Sequence, residues 1–198
     1  KDRKIIGPSP KKIGINNNNF TISFMACSMG GNVTGEALII PGNEEIAFGV
    51  TVPNAYGQLV CEVADKKYPV DQKIITENNT VYSFVYHDKE LDVYINDKNI
   101  TTFKTNQIYF NNSPIIINPQ RNWNARLYGL SVFNRALSEK DIKFLNSYYH
   151  RKVMDNIINE YEHKEIIENF SQKNNTFVSE NNNLETNCPM VFKKKEDY

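Results

Sequence analysis

From Phe20 the chain alternates apolar and polar positions with a period of two. Phe20, Ile22, Phe24 and Ala26 interleave with Thr21, Ser23 and Met25, the pattern of a half-buried strand. Gly30-Gly31-Asn32 ends the run. Further short runs lie at 37–40, 46–52, 58–64, 81–86, 91–95, 100–104, 115–118 and 125–133, many set apart by Pro, Gly and Asn as at Pro41-Gly42-Asn43. Many short strands with no intervening helical period predict an all-β antiparallel sandwich or barrel. The clearest unit is a central hairpin. Tyr82, Phe84 and Tyr86 face one way, His87-Asp88-Lys89-Glu90 turns the chain, and Leu91, Val93 and Ile95 return on the same face. Asn and Asp tolerate the left-handed conformations that tight turns need.

After Phe133-Asn134-Arg135-Ala136-Leu137 the period changes. Ser138 and Asp141 are spaced as a capping box, in which the Ser caps the helix and the acid reaches back to it. Ile142, Leu145, Tyr149, Val153, Ile157 and Tyr161 then follow helical spacing. Two readings stand for this stripe: a helix folded back across one sheet face, or an exposed arm that docks on a partner. The domain plan is an extended lead-in over 1–19, a sandwich over 20–137 and an amphipathic helix over 138–170. An Asn-rich linker and the start of a further segment, with a strand candidate at Met190-Val191-Phe192, fill 171–198.

Composition narrows the function. Twenty-three basic and twenty-three acidic residues cancel, without the basic excess of a nucleic-acid binder. No run approaches the ~18 apolar residues of a membrane span, so no membrane insertion is expected. The start, Lys1-Asp2-Arg3-Lys4, has neither an initiator Met nor a signal-like apolar run, and reads as a piece of a longer protein. Asn makes up about one residue in seven, a bias read as coding in an AT-rich genome such as that of a large DNA virus or an AT-rich protist. Cys27, Cys61 and Cys188 are odd in number and irregular in spacing. They read as thiols in a reducing compartment, with a Cys27–Cys61 disulfide as the alternative.

The search for catalytic chemistry ends empty. A sandwich glucanase needs carboxylates at period-two spacing on one strand, but Glu90-Leu91-Asp92-Val93-Tyr94 puts Tyr in the third place. His87, His150 and His163 lie in no nucleophile context, and Gly30–Gly35 lacks the Lys of a phosphate loop. No Cys/His cluster has zinc spacing. No catalytic residue and no metal site are therefore expected. Glycan binding needs exposed aromatics with carboxamides and Arg to stack on and hydrogen-bond a sugar. The richest such set is Arg121, Asn122, Trp123 and Asn124, with Asn54 and Tyr56 as companions. The alternative is that Trp123 packs at the end of the sandwich.

These motifs resemble a concanavalin A-like lectin/glucanase domain of the laminin-G-like type. Phe20-Thr21-Ile22-Ser23 matches the family's early strand, Ser83–Asp88 with Leu91–Asp97 its central hairpin, and Leu127–Ser138 its closing phrase. The resemblance covers about residues 13–150 and implies a jelly-roll of two antiparallel sheets. It departs at Tyr128-Gly129, where the family has Asp-Glu, and the family's calcium-coordinating loop acids have no matched counterpart here. No cofactor is expected. The helix and Asn187-Cys188-Pro189-Met190-Val191-Phe192 are similar to the region after this domain in proteins of large nucleocytoplasmic DNA viruses. With no sugar or calcium site standing out and the helix stripe offering a docking surface, the expectation is a non-enzymatic structural module of a virion or surface protein, built in a reducing cytoplasm and assembling with other structural proteins through that stripe. The alternatives are a lectin-like module attaching to glycans and a degenerate glucanase.

Overall fold

The computed structural model describes residues 3–30, 34–43, 46–54, 56–75, 78–162 and 190–192, with backbone alone for 56, 72, 75, 156–162 and 190–192. It is a sandwich of two six-stranded sheets. The first runs β1 (Ile5–Ile6), β10 (Ile116–Ile117), β3 (Thr34–Pro41), β4 (Ile46–Pro53), β5 (Tyr56–Val63) and β6 (Lys66–Ile75). The second runs β12 (Met190–Phe192), β11 (Ala125–Phe133), β2 (Asn19–Ser28), β7 (Thr80–His87), β8 (Glu90–Ile95) and β9 (Lys98–Lys104). Neighbours are antiparallel except β12, which lies parallel to β11. The expected all-β jelly-roll is the fold observed.

Alternation decides which side chains face between the sheets. Phe20, Ile22 and Phe24 of β2 meet Tyr82, Phe84 and Tyr86 of β7, and Phe48 of β4 packs edge-on to both Phe20 and Phe84. The central hairpin has the expected register, Tyr82 opposite Ile95, Phe84 opposite Val93 and Tyr86 opposite Leu91. Its turn residues Asp88 and Lys89 both have positive φ, 47° and 63°. That is the two-residue turn whose twist suits a hairpin.

Two strands were not anticipated. Tyr68, Val70 and Ile74 of β6 point inward while Lys67, Pro69, Asp71 and Lys73 are exposed. Pro69 hides this alternation from a sequence reading, since Pro demotes a strand, but β6 is an edge, where a missing N–H costs no ladder bond. The lead-in contributes β1, two residues paired with β10, so it belongs to the sheet. Cys27 and Cys61 are thiols, not joined as a disulfide. Burial pushes the Cys61 thiol far above its ordinary pKa, which leaves it inert. Cys188 lies outside the described residues.

Helix α1 (Glu139–Glu162) starts where the capping box predicted. Asp141 N–H donates to Ser138 Oγ at 3.2 Å, and Ser138 N–H donates back to the Asp141 carboxylate at 3.1 Å. Arg135 adds a bond to the same carboxylate at 3.0 Å. The helix lies across the outer face of the second sheet. Ile142, Leu145, Tyr149 and Val153 bury against Met25, Val81, Val85 and Tyr94, each apolar side chain contributing about 1.5–3 kcal/mol. Residues 163–170 of the expected helix lie outside the described residues.

Candidate functional site

The Trp-centred set expected to bind a glycan is instead a clasp that closes one end of the sandwich. Asn54, at the β4 terminus, is 4% exposed. Its Oδ1 accepts from Asn124 N–H at 3.0 Å and its Nδ2 donates to the Asn122 carbonyl at 3.3 Å. Asn122 Oδ1 accepts from Glu36 N–H, Asn124 Nδ2 donates to the Gly30 carbonyl, and Asn118 Oδ1 accepts from Trp123 N–H. These carboxamides satisfy backbone groups of the loops and of β3 beside its bulge at Glu36.

Trp123 itself is 5% exposed and meets Phe24 edge-on, with ring centroids 5.8 Å apart. Its backbone presses on Gly35, where an added Cβ would lie 2.2 Å from Trp123 Cα. Sugar stacking needs an open ring face, so burial removes Trp123 as a platform. Arg121 is exposed, in a positive-φ turn position. The Tyr56 backbone opens β5, and its side chain lies outside the described residues.

The helix stripe is likewise corrected. Ile142, Leu145, Tyr149 and Val153 are covered by the chain's own sheet, so they present no face to a partner. Tyr149 secures the contact, donating to the Ser23 carbonyl at 2.8 Å and meeting Ser131 Oγ at 2.7 Å. Ile157 and Tyr161 lie within α1, but their side chains are outside the described residues.

At the opposite end of β2 the polar groups are arranged differently. A cleft of about 360 Å³ opens between Asn18 and Asn19, the hairpin turn Asp88-Lys89, and Gln107. Each wall is fixed by backbone bonds. Asn16 Oδ1 accepts from both Asn18 N–H and Asn19 N–H at 2.8 Å, forming an Asx turn. Gln107 Nε2 donates to the Asn17 carbonyl at 2.7 Å and to Asn18 Oδ1 at 3.3 Å. Thr105 donates to the Lys89 carbonyl through its N–H at 2.7 Å and its hydroxyl at 3.1 Å. Tyr86 OH donates to the Asn106 carbonyl and accepts from Ile108 N–H, holding the Gln107 loop from beneath.

Beside the cleft, His87 Nε2 lies 3.0 Å from Asp92 Oδ2, and Thr102 donates to Asp92 Oδ1. The hydroxyl therefore serves the acid, whereas a nucleophile would have to face the imidazole. No group of three metal-ligating side chains occurs among the described residues.

None of the cleft residues stood out in the sequence as binders. Asn18 and Asn19 read as compositional bias, and Asp88-Lys89 as a solvated turn. Only the β2–β7 pairing, with Asn19 opposite His87, brings them together.

No protein-family model matches the sequence, and no curated protein matches it significantly. Solved structures do resemble the fold. The binding domain of botulinum neurotoxin serotype D aligns at a TM-score of 0.50 and 16% identity, over 67% of this chain and 37% of that one. A sialidase of Trypanosoma rangeli in complex with the inhibitor DANA aligns at 0.55 and 14% identity, over 71% and 25%. Botulinum neurotoxin type C, whose cell entry depends on interaction with two ganglioside molecules, aligns at 0.53 and 16%, over 74% and 40%. This chain thus spans two fifths or less of each of the three, and none of them is viral. At these identities the likeness shows the fold: the chain is a jelly-roll β-sandwich of the kind these toxin and sialidase chains contain.

Proposed function

We propose that this chain is a non-catalytic, lectin-like module that recognises glycans through the polar cleft beside the central hairpin. The observation that carries the reading is the lining: carboxamides, one carboxylate and one ammonium, with Asp88 and Lys89 in no ion pair among the described residues. Sugars are bound by convergent donors and acceptors of this sort. The type C neurotoxin, which contains this fold within a longer chain, depends on two ganglioside molecules for cell entry, and that supports the reading. Assembly with other structural proteins was expected to run through the helix stripe, and that reading loses its surface because the described part of the stripe is buried. The test is a broad glycan array probed with the full chain displayed multivalently, so that avidity lifts a weak single-site affinity into a readable range. Reproducible hits are expected, and an array without any would sink the reading.

A further inference from the structure

We propose that the cleft takes a neutral sugar directly, with no bridging metal ion, and that Asp88 and Lys89 hold neighbouring hydroxyls of it. The inference rests on the glycan-recognition reading above and adds the ligand class and the residues that select it.

Charge is the first argument. Asp88 and Lys89 cancel within the lining. The adjoining strands add Glu90, directly opposite Lys104, and Asp92, already engaged by His87 and Thr102. An acidic sugar brought into the cleft would meet the Asp88 carboxylate. A cationic one would meet Lys89. A neutral polyol meets neither penalty.

The hydrogen-bond inventory points the same way. Asn18 Oδ1 and Gln107 Nε2 are engaged with each other. The Asn18 amide N–H₂ remains as donor, Gln107 Oε1 as acceptor, and the Asn19 carboxamide as both. Asp88 only accepts and Lys89 only donates. Donors and acceptors therefore interleave around the cleft, which suits hydroxyl groups, each able to give one bond and take another. Asp88 and Lys89 are consecutive in the turn, both at positive φ, so an acceptor-only and a donor-only side chain start from neighbouring positions on the cleft rim. Carboxylates do not converge here as a cation would require, so the sugar contacts the protein itself. No aromatic ring lines the cleft. Binding without stacking relies on exchange of hydrogen bonds with water, and the affinity falls in the millimolar range.

The experiment is an NMR titration of the full chain with lactose, methyl α-mannoside and 3′-sialyllactose, each with and without EDTA. Saturable shifts of the Asn18, Asn19, Lys89 and Gln107 amides with a neutral sugar, unchanged by EDTA, are the expected result. Asp88→Asn keeps the side-chain shape and tolerates the left-handed turn, and it weakens binding about tenfold or more, the worth of a charge-assisted bond. Lys89→Gln weakens it several-fold while Lys89→Arg restores it, which keeps the test alive if Asp88→Asn fails to fold. Saturation by neither neutral sugar, tighter binding of sialyllactose, loss of binding in EDTA, or full affinity in both Asp88→Asn and Lys89→Gln overturns the inference and leaves glycan recognition standing. Silence across the broad array overturns the recognition reading itself.

Discussion

The two ends of β2 carry two clusters of asparagines, and they do opposite things. At the Ser28 end, Asn54, Asn118, Asn122 and Asn124 bond to loop backbone and draw Trp123 into the core. At the Asn19 end, Asn16 and Asn17 bond to the backbone of their own and the Gln107 loop, and Asn18 and Asn19 line open space. Residue type and aromatic company favoured the first cluster as a binding site. What separates them is whether the carboxamides have already found partners. A polar group satisfied by backbone supports the fold, and one aimed at water is available to a ligand.

Substitutions can break or sharpen this contrast. The largest effect is expected of Trp123→Ala, which empties a core position and costs about 3–5 kcal/mol of stability by chemical denaturation. A variant that kept its stability and lost glycan binding would reverse the assignment of the two ends. Asn54→Ala strands the Asn124 N–H and the Asn122 carbonyl and should cost about 1–3 kcal/mol. Tyr149→Phe removes the hydroxyl that ties α1 to Ser23 and Ser131, a loss of about 1–2 kcal/mol in the same assay, with binding at the cleft unchanged. Asp88→Asn should shift stability by no more than about 0.5 kcal/mol, since it touches the ligand side alone.

The smallest effect concerns pH. Arg135 foremost, aided by Ser138, holds the Asp141 carboxyl below the usual carboxylate range. Because the folded pKa is the lower one, this support is complete above the ordinary Asp value of about 4 and disappears as pH falls through the folded value. Helical circular dichroism should weaken slightly on acidification to about pH 2, and Asp141→Asn should flatten that slope.

Much of the fold was legible because burial in a sandwich writes period two along the chain. Phe20 to Phe24 and the Tyr82–Ile95 hairpin followed it closely, and the Ser138–Asp141 spacing announced the helix because capping is local. β6 escaped because Pro69 and three lysines mask three inward residues. β1 escaped because two residues carry no period at all. The helix stripe was visible as a stripe, but whether it would meet its own sheet or a partner depended on the hydrophobic face of Met25, Val81, Val85 and Tyr94, drawn from three strands. The cleft was the least legible feature. Residues 18, 88 and 107 share no spacing: the β2–β7 pairing sets Asn18 beside Asp88, and loop bonds from Gln107 and Tyr86 bring in residue 107.

The contact of Trp123 with Gly35 has a consequence for how this chain can vary. An added methyl group at position 35 would collide with main-chain atoms, which cannot swing aside as a side chain could. Position 35 thus works as a gauge of loop thickness. Relatives that carry any larger residue there must have rerouted the loop around Trp123, so a single position tells whether the clasp has been inherited or rebuilt.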